Sequence, residues 1–257
     1  MNKLGLLIAL LMTSSSSFAE YCSYSKGFDF TVETAALESL SLDVGAGKLT
    51  INGNANSHEV RVVAKACASS SRRLEQTDLK YRVRGSDLEV RTEFDRERGI
   101  LGWLNFGNSY AYVDIEVTMP NNLYLDVHDG SGGIEITDVS ALSLDDGSGS
   151  IFIENVSGNV SVEDGSGPIT ISGVNGKVSV SDGSGPINIR DSNEVVIIND
   201  GSGEINIEHI RTNVNIYDDG SGSIRIHDVA GNVALGDTGS GSVDVSEVAG
   251  TYSHHND

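Results

Sequence analysis

With 257 residues, 37 Asp and Glu against 17 Lys and Arg, and a net charge of −20, the chain repels nucleic acid and anionic headgroups and favours cationic or neutral partners. It has 30 Gly, 3 Pro and 6% aromatic residues, so its core must be filled by Ile, Val and Leu rather than by rings. The acidity is uneven, because residues 121–257 hold 22 of the acids and only Lys177, Arg190, Arg211 and Arg225 as bases.

Residues 1–19 (MNKLGLLIALLMTSSSSFA) carry Lys3, an apolar run from Leu4 to Met12, and the small residues Ser17 and Ala19 before a cleavage point. This is the pattern of a secretory signal peptide cleaved after Ala19. The apolar run is about half the ~20 residues that a spanning helix needs, so no transmembrane segment is expected after cleavage. The expected location is secreted or periplasmic. In such an oxidising compartment the two cysteines, Cys22 and Cys67, are expected to form one disulfide.

Residues 20–120 read as an N-terminal β region and cap. Ser41 to Ile51 already looks like a degenerate copy of Leu125 to Ile136, which would start a β-helix near residue 28. Val60–Ala66, Leu79–Val83, Leu88–Thr92 and Tyr110–Thr118 alternate apolar and polar as strands do, and Gly85-Ser86-Asp87 has hairpin-turn composition. These strands are expected to form meanders that cap a rod. Between them lies a loop with an apolar tip of Ile100, Leu101, Trp103, Leu104 and Phe106, which includes the sole Trp. It suits either a flap over an open rod end or an exposed contact patch for a partner.

Residues 121–257 repeat one phrase, DGSG followed by apolar, polar, apolar. It starts at Asp129, Asp146, Asp164, Asp182, Asp200 and Asp219, with a spread version, DTGSG, at Asp237. A period of 17 to 19 residues signals a solenoid. Within a repeat, Ile151/Ile153 and Val160/Val162 alternate with polar residues, which predicts two or three short strands per rung joined by Gly-containing turns. No stretch suits a crossover helix. The fold class is therefore all-β: a single-stranded parallel β-helix with 17–19-residue rungs, right-handed by the rule for parallel crossovers. Its inner column is Ile134, Ile151, Ile169, Ile187, Ile205, Ile224 and Val243. A short C-terminal tail holding His254 and His255 follows.

Stacked in register, the corner aspartates Asp129, Asp146, Asp164, Asp182, Asp200, Asp219 and Asp237 would form a carboxylate ladder at about 5 Å spacing, whose repulsion must be offset. Two offsets are open. Each carboxylate can accept N–H bonds from its own Gly-Ser-Gly turn, or oxygen ligands from adjacent rungs can hold a divalent cation such as calcium. The nonapeptide calcium roll does not match, since Asp here precedes the glycines and occurs once per coil. The same register places Arg190, Glu208 and His227 in one outward column and Asp191, His209 and Asp228 in the next, which sets both histidines beside carboxylates.

No catalytic residues stand out. A β-helix lyase would gather carboxylates with Arg or Lys on one irregular face, whereas these carboxylates recur on every rung and no long loop interrupts residues 129–250. GAGKLTING, VTMPNNLYLDV and the repeated DGSGxIxI with VxGxVxV resemble the bacterial putative-adhesin family of β-strand-repeat proteins, over roughly residues 28–250. The resemblance implies an extracytoplasmic β-helix with an adhesive or envelope role, a protein or glycan partner at the surface, no cofactor and no catalytic residues. The expectation is a non-enzymatic adhesin-like binding or scaffold module with an acidic rod. The alternatives are a carbohydrate-active β-helix enzyme and a calcium-dependent structural repeat protein.

Overall fold

The computed structural model describes residues 22–94 and 109–255. The signal-peptide expectation and the Trp103 loop therefore lie outside the described residues. In chain order the first part comprises β1 (Tyr24–Glu33), β2 (Ser39–Ala46), β3 (Leu49–Gly53), β4 (Glu59–Ala68), one helical turn α1 (Ser71–Glu75), β5 (Thr77–Arg84), β6 (Asp87–Phe94), β7 (Ala111–Met119) and β8 (Tyr124–Thr137). The helical turn is absent from the sequence reading. It is capped by the Ser70 hydroxyl, which accepts from the Arg73 N–H, as an N-cap does.

From β8 onward each rung places one strand in each of two sheets. The sheet carrying the Ile column receives Gly149–Val156, Ile169–Val174, Ile187–Arg190, Ile205–Ile210, Ile224–Val229 and Val243–Val248. The sheet ending at the aspartates receives Ala141–Asp146, Val160–Asp164, Lys177–Asp182, Glu194–Asp200, Val214–Asp218, Val233–Asp237 and Tyr252–His254. Pairing within each sheet is parallel, and Ile134, Ile151, Ile169, Ile187, Ile205, Ile224 and Val243 stand in one register column as expected. The residues expected to form a tail instead make the last strand of the aspartate sheet, with His254 opposite Leu235.

The inward positions form one continuous apolar core from Leu40 to Leu235. Each Ile or Val taken fully out of water there contributes about 1.5–3 kcal/mol. Glycine marks the corner because rungs stack at strand spacing. Gly149 has φ +145°, and a Cβ there would sit 1.6 Å from the Gly132 carbonyl oxygen of the rung beside it. A second corner carries the left-handed residue of each rung: Asp138, Asn155, Gly173, Asp191, His209, Asp228 and Glu247 all have positive φ. Asn, Asp and Gly tolerate that conformation best, and they fill five of these seven positions.

The N-terminal part departs from a simple meander. β2 and β3 form a complete rung whose Leu40 and Ile51 face Leu125 and Ile136 of β8. On their other side β6 and β7 also pair in parallel, Leu88 with Leu40 and Ile115 with Leu49. The chain therefore lays residues 39–53 first, builds the end of the rod with residues 59–94 and 111–119, and then passes over that first rung to continue at β8. Stacking order differs from chain order here, because both faces of rung 39–53 are apolar and each needs cover.

Beyond β6 and β7 the pairing turns antiparallel. β5 closes on β6, through the Gly85 hairpin, while β4 closes on β7 and β1 on β4. Phe30 of β1 stacks on Tyr81 of β5 at 4.3 Å between ring centroids, bridging the two sheets over the core's end. Along the edge strand β5, Lys80, Arg82 and Arg84 engage Glu93 and Glu89, which discourages further strand addition. Cys22 and Cys67 form a disulfide that ties the start of β1 to β4. No helix among the described residues is long and apolar enough to cross a membrane.

Candidate functional site: a buried carboxylate column

On the strand Ala141–Asp146 of the aspartate sheet the inward positions alternate, as Leu142, Leu144 and Asp146 do. In the Asp200 and Asp219 rungs two exposed residues precede the inward acid, Ile198 and Asn199 before Asp200 and Tyr217 and Asp218 before Asp219. The third inward position is thus an acid, placed inside the corner rather than on the surface. Asp129, Asp146, Asp164, Asp182, Asp200 and Asp219 pair rung to rung in one line. Their residual exposure runs from 0% for Asp200 and Asp219 to 8% for Asp129. Sequence reasoning found the ladder and missed its burial, since a DGSG turn reads as a surface turn.

Asp237 does not join. It pairs with the outward Asp218 and is exposed, while the neighbouring Thr238, 7% exposed, takes the inward place. Thr238 stands where Asp219 stands one rung earlier, so the acid of DTGSG falls on the outward position that Asp218 occupies there. Thr238 in turn shares a hydrogen bond of 3.0 Å with His254 Nε2. At the other end the column meets Val44, register partner of Asp129. An apolar side chain and a hydroxyl therefore bound a line of buried acids.

The turn bonds expected from the DGSG motif are present. Oδ1 of Asp146, Asp164 and Asp182 accepts the N–H of Ser148, Ser166 and Ser184 at 3.1–3.2 Å. They satisfy one oxygen per carboxyl. Oδ2 of Asp129, Asp146, Asp164 and Asp182, and both oxygens of Asp200 and Asp219, are buried without a hydrogen-bond partner. An ionised carboxylate left so is costly. Accordingly, burial pushes Asp129 and Asp200 up to about 7, with the neighbouring charges of Asp146 and of Asp219 and Asp182 adding to it. Burial likewise holds Asp146 and Asp182 at about 6 and moves Asp164 and Asp219 upward.

The column is linear, and among the described residues no group of three or more His, Cys, Asp or Glu side chains converges to hold a metal ion. Adjacent rungs offer a cation two carboxylates in a dry corner, whereas calcium takes about 6–8 oxygens.

On the outer surface the expected charge columns are in place. Arg190, Glu208 and His227 share a register line. His209 lies 3.7 Å from Asp191 and 3.9 Å from Asp228, His227 is 3.7 Å from Glu247, and His128 sits 3.6 Å from both Asp126 and Asp145. At the capped end, a depression of about 530 Å³ on the outside of the aspartate sheet is lined by Asp43, Glu75, Asp78, Lys80, Arg91 and Glu93 among others. Hydrogen bonds from Lys80 and Arg91 hold the Glu93 carboxyl below the usual range. That acid stays ionised, which unsuits it to protonating a leaving group.

No family model matches the chain, and no curated protein matches it. Solved structures with a similar course include a putative cell adhesion protein from Clostridium sporogenes, 17% identical, over 79% of this chain and 99% of its own, with a TM-score of 0.41. A putative lipid binding protein from Parabacteroides distasonis is 16% identical over 88% and 96%, with a TM-score of 0.49. A putative adhesin from Bacteroides fragilis is 13% identical over 90% and 97%, with a TM-score of 0.42.

Proposed function

We propose that the protein is a non-enzymatic binding or scaffold module of the secreted or periplasmic space, whose acidic rod engages a cationic or neutral protein or glycan of the cell envelope. The observation that carries this reading is the outer surface. Its acids recur rung after rung, Glu154, Asp191, Glu208, Asp228 and Glu247 among them, instead of converging on one cleft. A repeated anionic face gives many weak, equivalent contacts and steers cationic partners toward it. The disulfide suits an oxidising compartment. A carbohydrate-active enzyme would instead need a carboxyl of raised pKa facing substrate beside a second acid, and the raised carboxyls here are sealed inside the corner.

The test is capture from envelope extract on immobilised protein at low and high salt, beside a variant carrying Glu154→Gln, Glu208→Gln and Asp228→Asn. Retention that falls with both salt and charge removal supports the proposal. Retention that neither changes refutes a role for the acidic face.

A further inference from the structure

The interior column poses a problem that the outer surface does not. Six carboxyls line one corner, each more than nine-tenths buried and each with an oxygen that nothing satisfies. Every ionisable group acting on them is another acid: their neighbours in the line, together with Asp145 beside Asp146, and Asp218 and Asp237 beside Asp219. Beyond the column's end His254 is engaged by Thr238. Among the described residues no cationic side chain hydrogen-bonds the line's orphaned oxygens, and the corner lacks the converging oxygens that a metal ion needs.

We propose that this column is a proton-binding seam, in which alternate carboxyls take up a proton from solvent as the chain folds and donate it to the free oxygen of the carboxylate on the adjacent rung. Each proton forms an O–H on one carboxyl and an O–H···O⁻ bond to the next, so two orphaned oxygens are satisfied and one buried charge is removed. Such charge-assisted bonds are short and strong, and strand spacing holds successive carboxyls where they can form. Burial keeps the column's acids protonated above the ordinary range. The rod is thereby tightest in mild acid. Raising the pH empties the seam, and like charges then accumulate inside the corner.

Infrared spectroscopy of protein with carbon-13-labelled Asp reads the seam directly, because a protonated carboxyl has its own carbonyl band. At about pH 5.5, where ordinary Asp is ionised, wild type should keep that band, and it should vanish by about pH 8 as the melting temperature falls. The Asp146→Asn, Asp182→Asn double variant supplies permanent N–H donors at alternate rungs. It should show a weaker band and a flatter melting profile against pH, whereas the exposed-site control Glu163→Gln should match wild type. Should the double variant not fold, the wild-type band and the single Asp182→Asn variant still decide. Absence of the band at about pH 5.5 overturns the proposal, as does a band that the variants leave unchanged. A melting temperature at alkaline pH restored by calcium, but not by equal ionic strength of sodium, would mean that the column takes cations and would overturn it too.

Discussion

Replacing Ile187 by Ala tests whether the rungs stack as a rigid ladder. Ile187 is fully buried and stands between Ile169 and Ile205 in the inner column. The substitution removes three carbons, worth about 2.4 kcal/mol at about 0.8 kcal/mol each. A core that can collapse recovers some of the remaining loss, but this one cannot close along the rod axis. Backbone bonds such as Ile169 N–H to the Pro186 carbonyl and Ile187 N–H to the Glu204 carbonyl, 2.9 and 2.8 Å, fix the spacing. With the void left open at about 24 cal/mol per Å³, the total should reach about 4 kcal/mol. Urea unfolding followed by circular dichroism should show that loss, and the melting temperature should drop by roughly 10 °C. Val243→Ala, at the half-buried final inward position of the column, should cost under about 1.5 kcal/mol. Equal losses at the two sites, or a loss at Ile187 below about 1.5 kcal/mol, would refute a rigid inner column.

A methyl group at Gly167 meets the Gly149 carbonyl oxygen at 1.7 Å with φ at +137°, so Gly167→Ala should give little soluble protein, measured against wild type by expression and gel filtration. Non-reduced peptide mapping should recover Cys22 linked to Cys67, and two alkylatable thiols would contradict it. Breaking that link, which closes a 45-residue separation, should lower stability by up to about 4 kcal/mol, read as a shifted urea midpoint on adding reductant. Stability should also depend on pH with an acid-favouring sign. The buried aspartates have folded pKa values raised to about 6–7, so the folded state holds more protons than the unfolded one. Their contribution is full below the unfolded value of about 3.9 and is lost as pH climbs through 6 to 7. Asp146 alone, at about 6, corresponds to about 3 kcal/mol; a urea midpoint that rises from mildly acidic to mildly alkaline pH would contradict this.

The repeating features of the fold follow from the residues alone. A period of 17 to 19 residues with strand alternation leaves parallel stacking as the way to bury faces that no single rung can cover, so the Ile column, the strand positions and the outward Arg190, Glu208 and His227 line were legible from spacing alone. The disulfide was legible from compartment and count. Features that depend on which surfaces meet emerge only once the chain is packed. Residues 39–53 read as a degenerate first rung, yet they lie between β6–β7 and β8, because order in space follows exposed apolar faces and not chain order. The DGSG aspartates look like solvated turn acids, and their burial follows from register: Asp146 lies two positions beyond Leu144 on the inward face, whereas Asp237 shares the outward register of Asp218 and Thr238 takes the inward place. Turn chemistry names the residue, and the packed register decides which side of the wall it faces.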